Sequence, residues 1–137
     1  MRADVFLDTN ILLYAISTTR DEAAKKRIAW QVLARADWGL SIQVLQEFYV
    51  NAARSPRPAM SHANAAAAIR EFLRRPVAVS DAPLMLAALE VRERYRLSYW
   101  DAAIVAATHA LGAVTIYSED LKDGQSYDGA TVRNPFA

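Results

Sequence analysis

Short apolar runs alternate along the chain with longer segments of helical periodicity. The apolar runs, each bounded by turn or capping residues, predict buried strands. The stretches between them place apolar side chains three or four residues apart, as helices do. The pattern predicts strands at residues 3–7, 40–42, 77–79, 113–117 and 131–134, and helices at 11–16, 21–36, 44–53, 61–73, from 82 to about 95, and 98–111.

The predicted helices carry recognisable start and stop signals. Ser61 and Ser98 stand where an N-cap is expected, and Pro83 falls in the first turn of its helix, where proline is tolerated. Gly112 is a suitable C-terminal stop, and the Ser-Pro-Arg-Pro segment at 55–58 ends the preceding helix. These signals give the helices definite limits.

Strands that alternate with helices favour an α/β fold with a parallel sheet covered by helices on both faces. No repeat, linker or shift in composition divides the chain, so residues 1–137 are expected to form one domain. In such sheets a functional site lies outside the carboxyl ends of the strands. Polar residues that follow a strand directly therefore carry the functional information.

Composition excludes several classes of chemistry. The chain lacks cysteine, which rules out disulfides, zinc–thiolate sites and iron–sulfur clusters. The net charge of +1 gives no general nucleic-acid signal, so any basic footprint must be local. The N-terminus lacks a signal-peptide layout and no apolar run reaches the length of a membrane span, so a soluble cytoplasmic protein is expected.

Four acidic residues lie where a strand or loop passes into a helix. They are Asp8, Glu47, Asp101 and Asp120. Carboxylates are rarely buried unless they pair or hold a metal ion. Several converging carboxylates suit a hard cation such as Mg²⁺ or Mn²⁺, and such an ion suits phosphodiester chemistry.

Three of these acids also have structural interpretations. Asp8 is a good N-cap for the helix that follows it. Glu47 can lie on the exposed edge of its helix, since Gln46 beside it is equally polar. Asp101 stands three residues after Ser98, the spacing of a capping box. The residues alone leave both interpretations open.

The fourth acid lies in a turn that offers other carboxylates. Glu119 precedes Asp120, and Asp123 follows three residues later. A turn rich in acids is usually solvated, but it can also supply one or two ligands, directly or through water. Carboxylates gathered in one cleft raise each other's pKa and cost stability unless a cation neutralises them. A divalent metal removes that cost.

Other catalytic chemistry has little support. The two histidines, His62 and His109, do not fall into a recognisable catalytic order, and the four glycines do not form a phosphate loop. Basic residues cluster at 25–27, 70–75 and 92–96 with helical spacing. They are interpreted as solvated helix faces, with contacts to RNA phosphates or to an acidic partner segment as the alternative.

At the four acids the sequence resembles the PIN-domain ribonucleases and, among them, the VapC-type toxins of bacterial toxin–antitoxin pairs. The resemblance covers nearly the whole chain. It rests on Phe-Leu-Asp-Thr-Asn-Ile-Leu at 6–12, Leu-Gln-Glu-Phe at 45–48, Leu-Ser-Tyr-Trp-Asp-Ala at 97–102, Tyr-Ser-Glu-Asp-Leu at 117–121 and the tail 123–136.

The resemblance implies a three-layer α/β/α sandwich with a short, mainly parallel central sheet. It places the family's acidic metal site on Asp8, Glu47, Asp101 and Asp120, with Glu119 or Asp123 as alternatives for the last. The supporting positions fall on Thr9, Asn10 and Ser118, with Asp123 as a further supporting carboxylate.

The activity implied is that of an endoribonuclease toxin that uses Mg²⁺, with Mn²⁺ as a possible substitute. A metal-activated water would attack the phosphodiester and leave a 5′-phosphate. The implied partners are an RNA substrate, an inhibitory antitoxin and a second copy of the chain, with DNA bound only through the antitoxin. The alternatives are a housekeeping PIN nuclease of RNA maturation and a non-catalytic RNA- or protein-binding module. The RNA target and the number of metal ions stay open.

Overall fold

The computed structural model describes residues 1–56 and 58–137. In this part of the chain six strands alternate with six α-helices. The strands are β1 (Val5–Leu7), β2 (Trp38–Ser41), β3 (Val77–Ala78), β4 (Thr115–Tyr117), β5 (Ser126–Tyr127) and β6 (Ala130–Arg133). The helices are α1 (Thr9–Ala15), α2 (Ala23–Leu33), α3 (Ile42–Ala52), α4 (His62–Phe72), α5 (Ala82–Tyr95) and α6 (Tyr99–Ala110).

The six strands form one sheet in the order β3-β2-β1-β4-β6-β5. All neighbours are parallel except β5 and β6, which form an antiparallel pair at one edge. The chain moves from β1 outward to β2 and β3, and then returns to β4 on the other side of β1. The boundary between β1 and β4 is therefore the point where the strand order reverses, and a crevice opens there.

Helices cover both faces of the sheet because the crossovers run in opposite directions. Connections between parallel strands are right-handed. When the chain crosses the sheet in the opposite direction, the connecting helices therefore lie on the opposite face. The connections through α1–α2 and α3–α4 thus lie on one face, and the connection through α5–α6 lies on the other. On its face, α6 packs against β2, β3, β4 and β6.

The core is built from the strands and the inward faces of these helices. Phe6, Leu40 and Ile116 are fully buried in the sheet, and Phe48 packs edge-to-face against Phe72. A β-carbon added at Gly39 would stand 2.7 Å from the carbonyl oxygen of Pro76. Only glycine fits at this close approach of the second strand to its neighbour.

The predicted α/β fold with a mainly parallel sheet is confirmed, and the element limits shift by a few residues. Strand β1 begins at Val5 and not at residue 3, and the helix predicted at 44–53 begins at Ile42. The early start has a local cause, because Ser41 Oγ accepts from the amide of Val44 and caps α3. The helix predicted at 21–36 is shorter: a 3-10 turn covers Arg20–Glu22, and α2 ends at Leu33.

One further difference concerns the last third of the chain. The C-terminal edge holds two strands where one was predicted, because β5 is only two residues long and pairs antiparallel with β6. Ser61 and Ser98 act as N-caps as predicted, and Gly112 has a positive φ of 69°. Arg57, in the predicted helix-ending segment, lies outside the described residues.

Candidate functional site

Asp8 lies at the centre of the carboxyl edge, directly after β1. It caps α1, with Oδ1 accepting a 2.8 Å hydrogen bond from the amide of Thr9. Oδ2 accepts a 2.7 Å hydrogen bond from the hydroxyl of Ser118, the first residue after β4. Only 8% of Asp8 is exposed. The N-cap interpretation is thus correct for Asp8, and the same carboxylate occupies the switch point of the sheet.

The environment of Asp8 resists its ionisation. Burial raises the pKa of Asp8 to about 6, against the opposing hydrogen bonds from Ser118 and Thr9. The negative charges of Asp120 and Glu47 raise it further. A buried carboxylate near other carboxylates is costly to ionise, and a bound cation would lower that cost.

Glu47 is joined to the same edge from the second turn of α3. Its Oε2 accepts a 2.8 Å hydrogen bond from the hydroxyl of Thr9. Its Oε1 accepts from Nε2 of Gln43, one turn earlier, at 3.0 Å. The same Gln43 amide reaches the carbonyl oxygen of Trp100 at 3.3 Å, just before Asp101 in α6. Glu47 is therefore held in a fixed position between the two helical layers.

Asp120 follows β4 and is exposed. Its Oδ2 accepts from Nδ2 of Asn10 at 3.2 Å, and its amide donates to the hydroxyl of Ser118 at 3.1 Å. Ser118 is fully buried and also accepts from the amide of Leu121. One serine hydroxyl thus connects Asp8 to the turn that carries Asp120.

Glu119 is engaged elsewhere. Nζ of Lys25 lies 2.6 Å from its Oε2, and the hydroxyl of Tyr14 donates to its Oε1 at 2.5 Å. Burial acts to raise the pKa of Glu119, but these two hydrogen bonds outweigh it and the pKa is lowered. The charge of Glu119 is therefore compensated within the protein.

Asp123 points toward the C-terminal segment. Its Oδ1 accepts a 2.9 Å hydrogen bond from the amide of Asn134. No hydrogen bond among the described residues connects it to Asp8, Glu47 or Asp120. Of the three acids in this turn, Asp120 is the one whose negative charge raises the pKa of Asp8. Within the described residues, Asp120 also forms no salt bridge, whereas Glu119 pairs with Lys25.

Asp101 lies in the first turn of α6 and is half-buried. Its amide donates to Oγ of Ser98, as an N-cap requires, but its carboxylate forms no reciprocal capping-box bond to Ser98 within the described structure. Burial raises the pKa of Tyr127, and the negative charge of Asp101 raises it further. Asp101 is not hydrogen-bonded to the other three acids.

Hydrogen bonds through Thr9, Ser118 and Asn10 thus connect Asp8, Glu47 and Asp120, and Asp101 stays outside this network. Within residues 1–56 and 58–137, no three acidic or histidine side chains stand close enough together to form a ready-made metal cluster. The salt bridges of the same residues include none of these four acids. Carboxylate oxygens without a basic partner fit a hard cation, which would draw them together.

Sequence reasoning missed three residues of this neighbourhood. Gln43 lies one helical turn before Glu47, a spacing at which two side chains on a helix can contact each other. That spacing could have identified Gln43 as a partner of Glu47. Lys25 belongs to a basic cluster interpreted as a solvated face, yet it pairs with Glu119. Tyr14 gave no local signal, because its partner Glu119 lies 105 residues away.

An open cleft adjoins the acids. It has a volume of about 340 Å³ and is lined by Gln43, Gln46, Glu47, Val50, Asn51 and Trp100. Trp100 is 64% exposed and lies next to Asp101 in the chain. Amide groups and an aromatic face thus stand beside the carboxylates. No described helix is both long and apolar enough to span a membrane.

The sequence and the fold are similar to those of known proteins. The model of the PIN domain matches residues 5–122. A toxin–antitoxin complex from Klebsiella pneumoniae superposes with a TM-score of 0.70 at 20% identity, covering 96% of this chain and 97% of that one. VapC20 of Mycobacterium tuberculosis, a sarcin–ricin loop cleaving toxin, gives 0.67 at 26% identity, covering 85% and 89%.

A third structure, VapBC2 from Rickettsia felis bound to a promoter DNA fragment, gives a TM-score of 0.64 at 20% identity and covers 95% of this chain and 97% of that one. No curated protein matches the chain in sequence. The similarity to these solved structures therefore lies in the fold, with low overall sequence identity.

Proposed function

The chain belongs to the PIN domain family, and we propose that it is a metal-dependent endoribonuclease that acts as the toxin of a toxin–antitoxin pair in the cytoplasm. The ion proposed is Mg²⁺, with Mn²⁺ able to replace it. The proposed ligands are Asp8, Glu47, Asp101 and Asp120. Thr9, Asn10 and Ser118 hold three of them: Asp8, Glu47 and Asp120.

One observation carries the proposal: a buried carboxylate at the switch point is surrounded by acids and by no base. Asp8 is 8% exposed, and the charges of Asp120 and Glu47 act on it. None of the salt bridges in the described residues neutralises the three. Such an arrangement is costly without a cation, and it serves a purpose when one binds.

The protein's own groups prepare the site. Ser118 and the amide of Thr9 fix both oxygens of Asp8, and the Thr9 hydroxyl and Gln43 fix those of Glu47. A divalent ion bound there supplies a water of lowered pKa and positive charge for the developing phosphorane oxygens. As the water oxygen bonds to phosphorus, the water releases a proton to solvent and the P–O3′ bond breaks. The products would be a 5′-phosphate and a 3′-hydroxyl, whose oxygen takes up a proton from solvent.

The substrate proposed is RNA with unpaired bases. VapC20, at 26% identity, is a toxin that cleaves the sarcin–ricin loop, which supports RNA as the substrate class here. The cleft beside Glu47 offers amide groups, and Trp100 offers an exposed aromatic face. Such groups suit unstacked bases, since single-stranded RNA is recognised by stacking and by hydrogen bonds to base edges.

The partners proposed are an antitoxin and a second copy of the chain. Several structural neighbours are toxin–antitoxin proteins, and some of them are bound to DNA. We assign DNA contact to the antitoxin, because this chain has a net charge of only +1. Sedimentation of the purified protein would test for the dimer.

The decisive experiment incubates purified protein with total cellular RNA in Mg²⁺, in Mn²⁺ and in EDTA. Wild type is compared with Asp8→Asn and with Asp21→Asn, which changes an exposed acid that has no side-chain hydrogen bond in the described structure. Discrete fragments are expected from wild type and Asp21→Asn, absent in EDTA and absent for Asp8→Asn. Their 5′ ends should accept adapters by ligation without prior kinase treatment, as 5′-phosphates do.

Other outcomes separate the alternatives. A folded, antitoxin-free protein that cleaves no RNA under any of these conditions would be a binding module. Cleavage that no neighbouring small gene product inhibits would indicate a housekeeping nuclease. Co-expression with the product of an adjacent small gene is expected to give a stable complex without cleavage activity.

A further inference from the structure

Tyr14, Lys25 and Glu119 form a compact polar triad beside the candidate site. Lys25 Nζ lies 2.6 Å from Glu119 Oε2 and 3.2 Å from the Tyr14 hydroxyl, which itself donates to Glu119 Oε1. The Tyr14 ring packs edge-to-face against Phe136, with centroids 4.9 Å apart. The triad joins α1, α2 and the turn after β4, and the C-terminal segment covers one side of it.

The triad and the site share a backbone segment. The amide of Glu119 donates to Oδ1 of Asn10, and Nδ2 of Asn10 donates to Asp120. Glu119 and Asp120 are consecutive, yet their side chains are held by different partners. The side chain of Glu119 is held by Lys25 and Tyr14, whereas that of Asp120 is held by Asn10.

Holding α1 against α2 does not by itself explain the triad. Other contacts already join these helices at the same end: Lys26 Nζ donates to the carbonyl oxygen of Ser17 at 2.9 Å, and the indole of Trp30 donates to that of Ala15 at 2.9 Å. What the triad adds is a connection to the turn at residues 118–121. Its specific consequence is therefore the orientation of that turn.

We propose that Tyr14 and Lys25 are positioning residues that hold Glu119 away from the metal centre and so present Asp120 as the acid that faces Asp8. This inference rests on the proposed function. Two adjacent carboxylates in one turn are alternative ligands for one ion. When Glu119 is bound on both oxygens, only Asp120 is available, and its turn is fixed before the ion arrives.

The sign of the effect distinguishes positioning from simple charge. Removal of the Lys25 charge would strengthen cation binding if lysine acted only by repelling the ion. Loss of a positioning contact weakens binding, because the ligand must be ordered when the ion binds. Tyr14→Phe tests positioning without any change of charge, and it retains the ring that packs against Phe136.

The experiment measures Mn²⁺ affinity by electron paramagnetic resonance of the free ion. The variants are Tyr14→Phe, Lys25→Met and Lys25→Arg. Tyr49→Phe controls for loss of a tyrosine hydroxyl, since that group bonds His62 remote from the turn. Lys26→Met controls for loss of an α1–α2 contact. Melting temperature and RNA cleavage across a Mg²⁺ titration are recorded for each variant.

We expect Tyr14→Phe and Lys25→Met to raise the Mn²⁺ dissociation constant about ten-fold, the effect typical of groups that support a metal ligand. The Mg²⁺ concentration for half-maximal cleavage should rise in parallel, while cleavage at saturating Mg²⁺ changes little. Lys25→Arg should recover most of the affinity. Both controls should bind Mn²⁺ as wild type does, even where their melting temperatures fall.

Unchanged Mn²⁺ binding in Tyr14→Phe, or tighter binding in Lys25→Met, would overturn the inference and leave the proposed function intact. The proposed function fails in a different way. In that case wild type would bind no more Mn²⁺ than Asp8→Asn does. This result would overturn both the inference and the proposed function.

Discussion

The hydroxyl of Ser118 donates a 2.7 Å hydrogen bond to Oδ2 of Asp8 and so connects the ends of the two central strands, β1 and β4. The two residues are 110 positions apart in the chain. The same hydroxyl accepts from the amides of Asp120 and Leu121. One buried side chain thus sets the position of the central carboxylate relative to the turn that carries another.

Ser118→Ala is expected to destabilise the metal-free protein. It leaves two turn amides and a buried carboxylate oxygen without their partner, which costs roughly 1–3 kcal/mol of unfolding free energy. Urea denaturation in EDTA measures this cost. Ser80→Ala, at an exposed serine with no side-chain hydrogen bond in the described structure, serves as the control. Equal stability of the two variants would contradict the central role of the Ser118 hydroxyl.

Thr9→Val is expected to reduce RNA cleavage while preserving the fold. The substitution keeps the side-chain volume but removes the donor that holds Glu47 Oε2 at 2.8 Å. Loss of a group that orients a ligand typically costs 10- to 100-fold in activity or metal affinity, so a reduction of about ten-fold or more is predicted. Thr108→Val removes another buried hydroxyl, bonded to Ile104 within α6, and should leave cleavage unchanged. Comparable losses in both would point to a general packing effect.

The three acids of the turn after β4 are expected to differ sharply. Asp120→Asn should abolish cleavage, because no other carboxylate of that turn is free to replace it. Glu119→Gln should retain cleavage, since its side chain is held by Lys25 and Tyr14. Asp123→Asn should also retain cleavage, because its carboxylate binds the amide of Asn134. Cleavage rates at saturating Mg²⁺ test the set, and loss of cleavage in Asp123→Asn alone would reassign the fourth ligand.

The metal-free protein is expected to lose stability as the pH rises from about 4 to above 6. Burial raises the pKa of Asp8 from 3.8 to about 6. A carboxyl group with a higher pKa in the folded state keeps its proton there longer than in the unfolded state. Its contribution is complete below pH 4 and is lost as the pH passes through the folded value. The loss amounts to roughly 1–3 kcal/mol.

Chemical denaturation in EDTA across this pH range isolates the contribution of Asp8. The difference in unfolding free energy between wild type and Asp8→Asn should change with pH in the predicted direction, since asparagine does not titrate. Asp21→Asn should follow the wild-type curve. Parallel curves for wild type and Asp8→Asn would show that Asp8 ionises normally in the folded protein.

Much of the fold could be predicted from the sequence, because interactions between residues close in the chain determine the helices and strands. Alternation of apolar runs and helical periodicity predicted the α/β class, and Ser61 and Ser98 were identifiable as caps because a cap acts on amides two or three residues away. The two-residue strand β5 was missed, because its pairing with β6 depends on neighbours and not on its own composition.

The four acids were likewise visible in the sequence, because three of them stand at junctions between elements and Glu47 follows the predicted start of a helix closely. Their relationships were not. The hydrogen bonds that engage Glu119 come from Lys25, which lies 94 residues away in the chain, and from Tyr14, which lies 105 residues away. No periodicity or spacing encodes a contact of that kind.

The sequence by itself determined which residue types stand at the strand ends and which fold class carries them. The tertiary structure alone decided the strand order, which places β1 beside β4 and thereby brings Ser118 to Asp8. The physical reason is the range of the interactions. Capping and periodicity act within a few residues, whereas pairing of carboxylates, hydroxyls and bases at one sheet edge arises only when distant segments pack together.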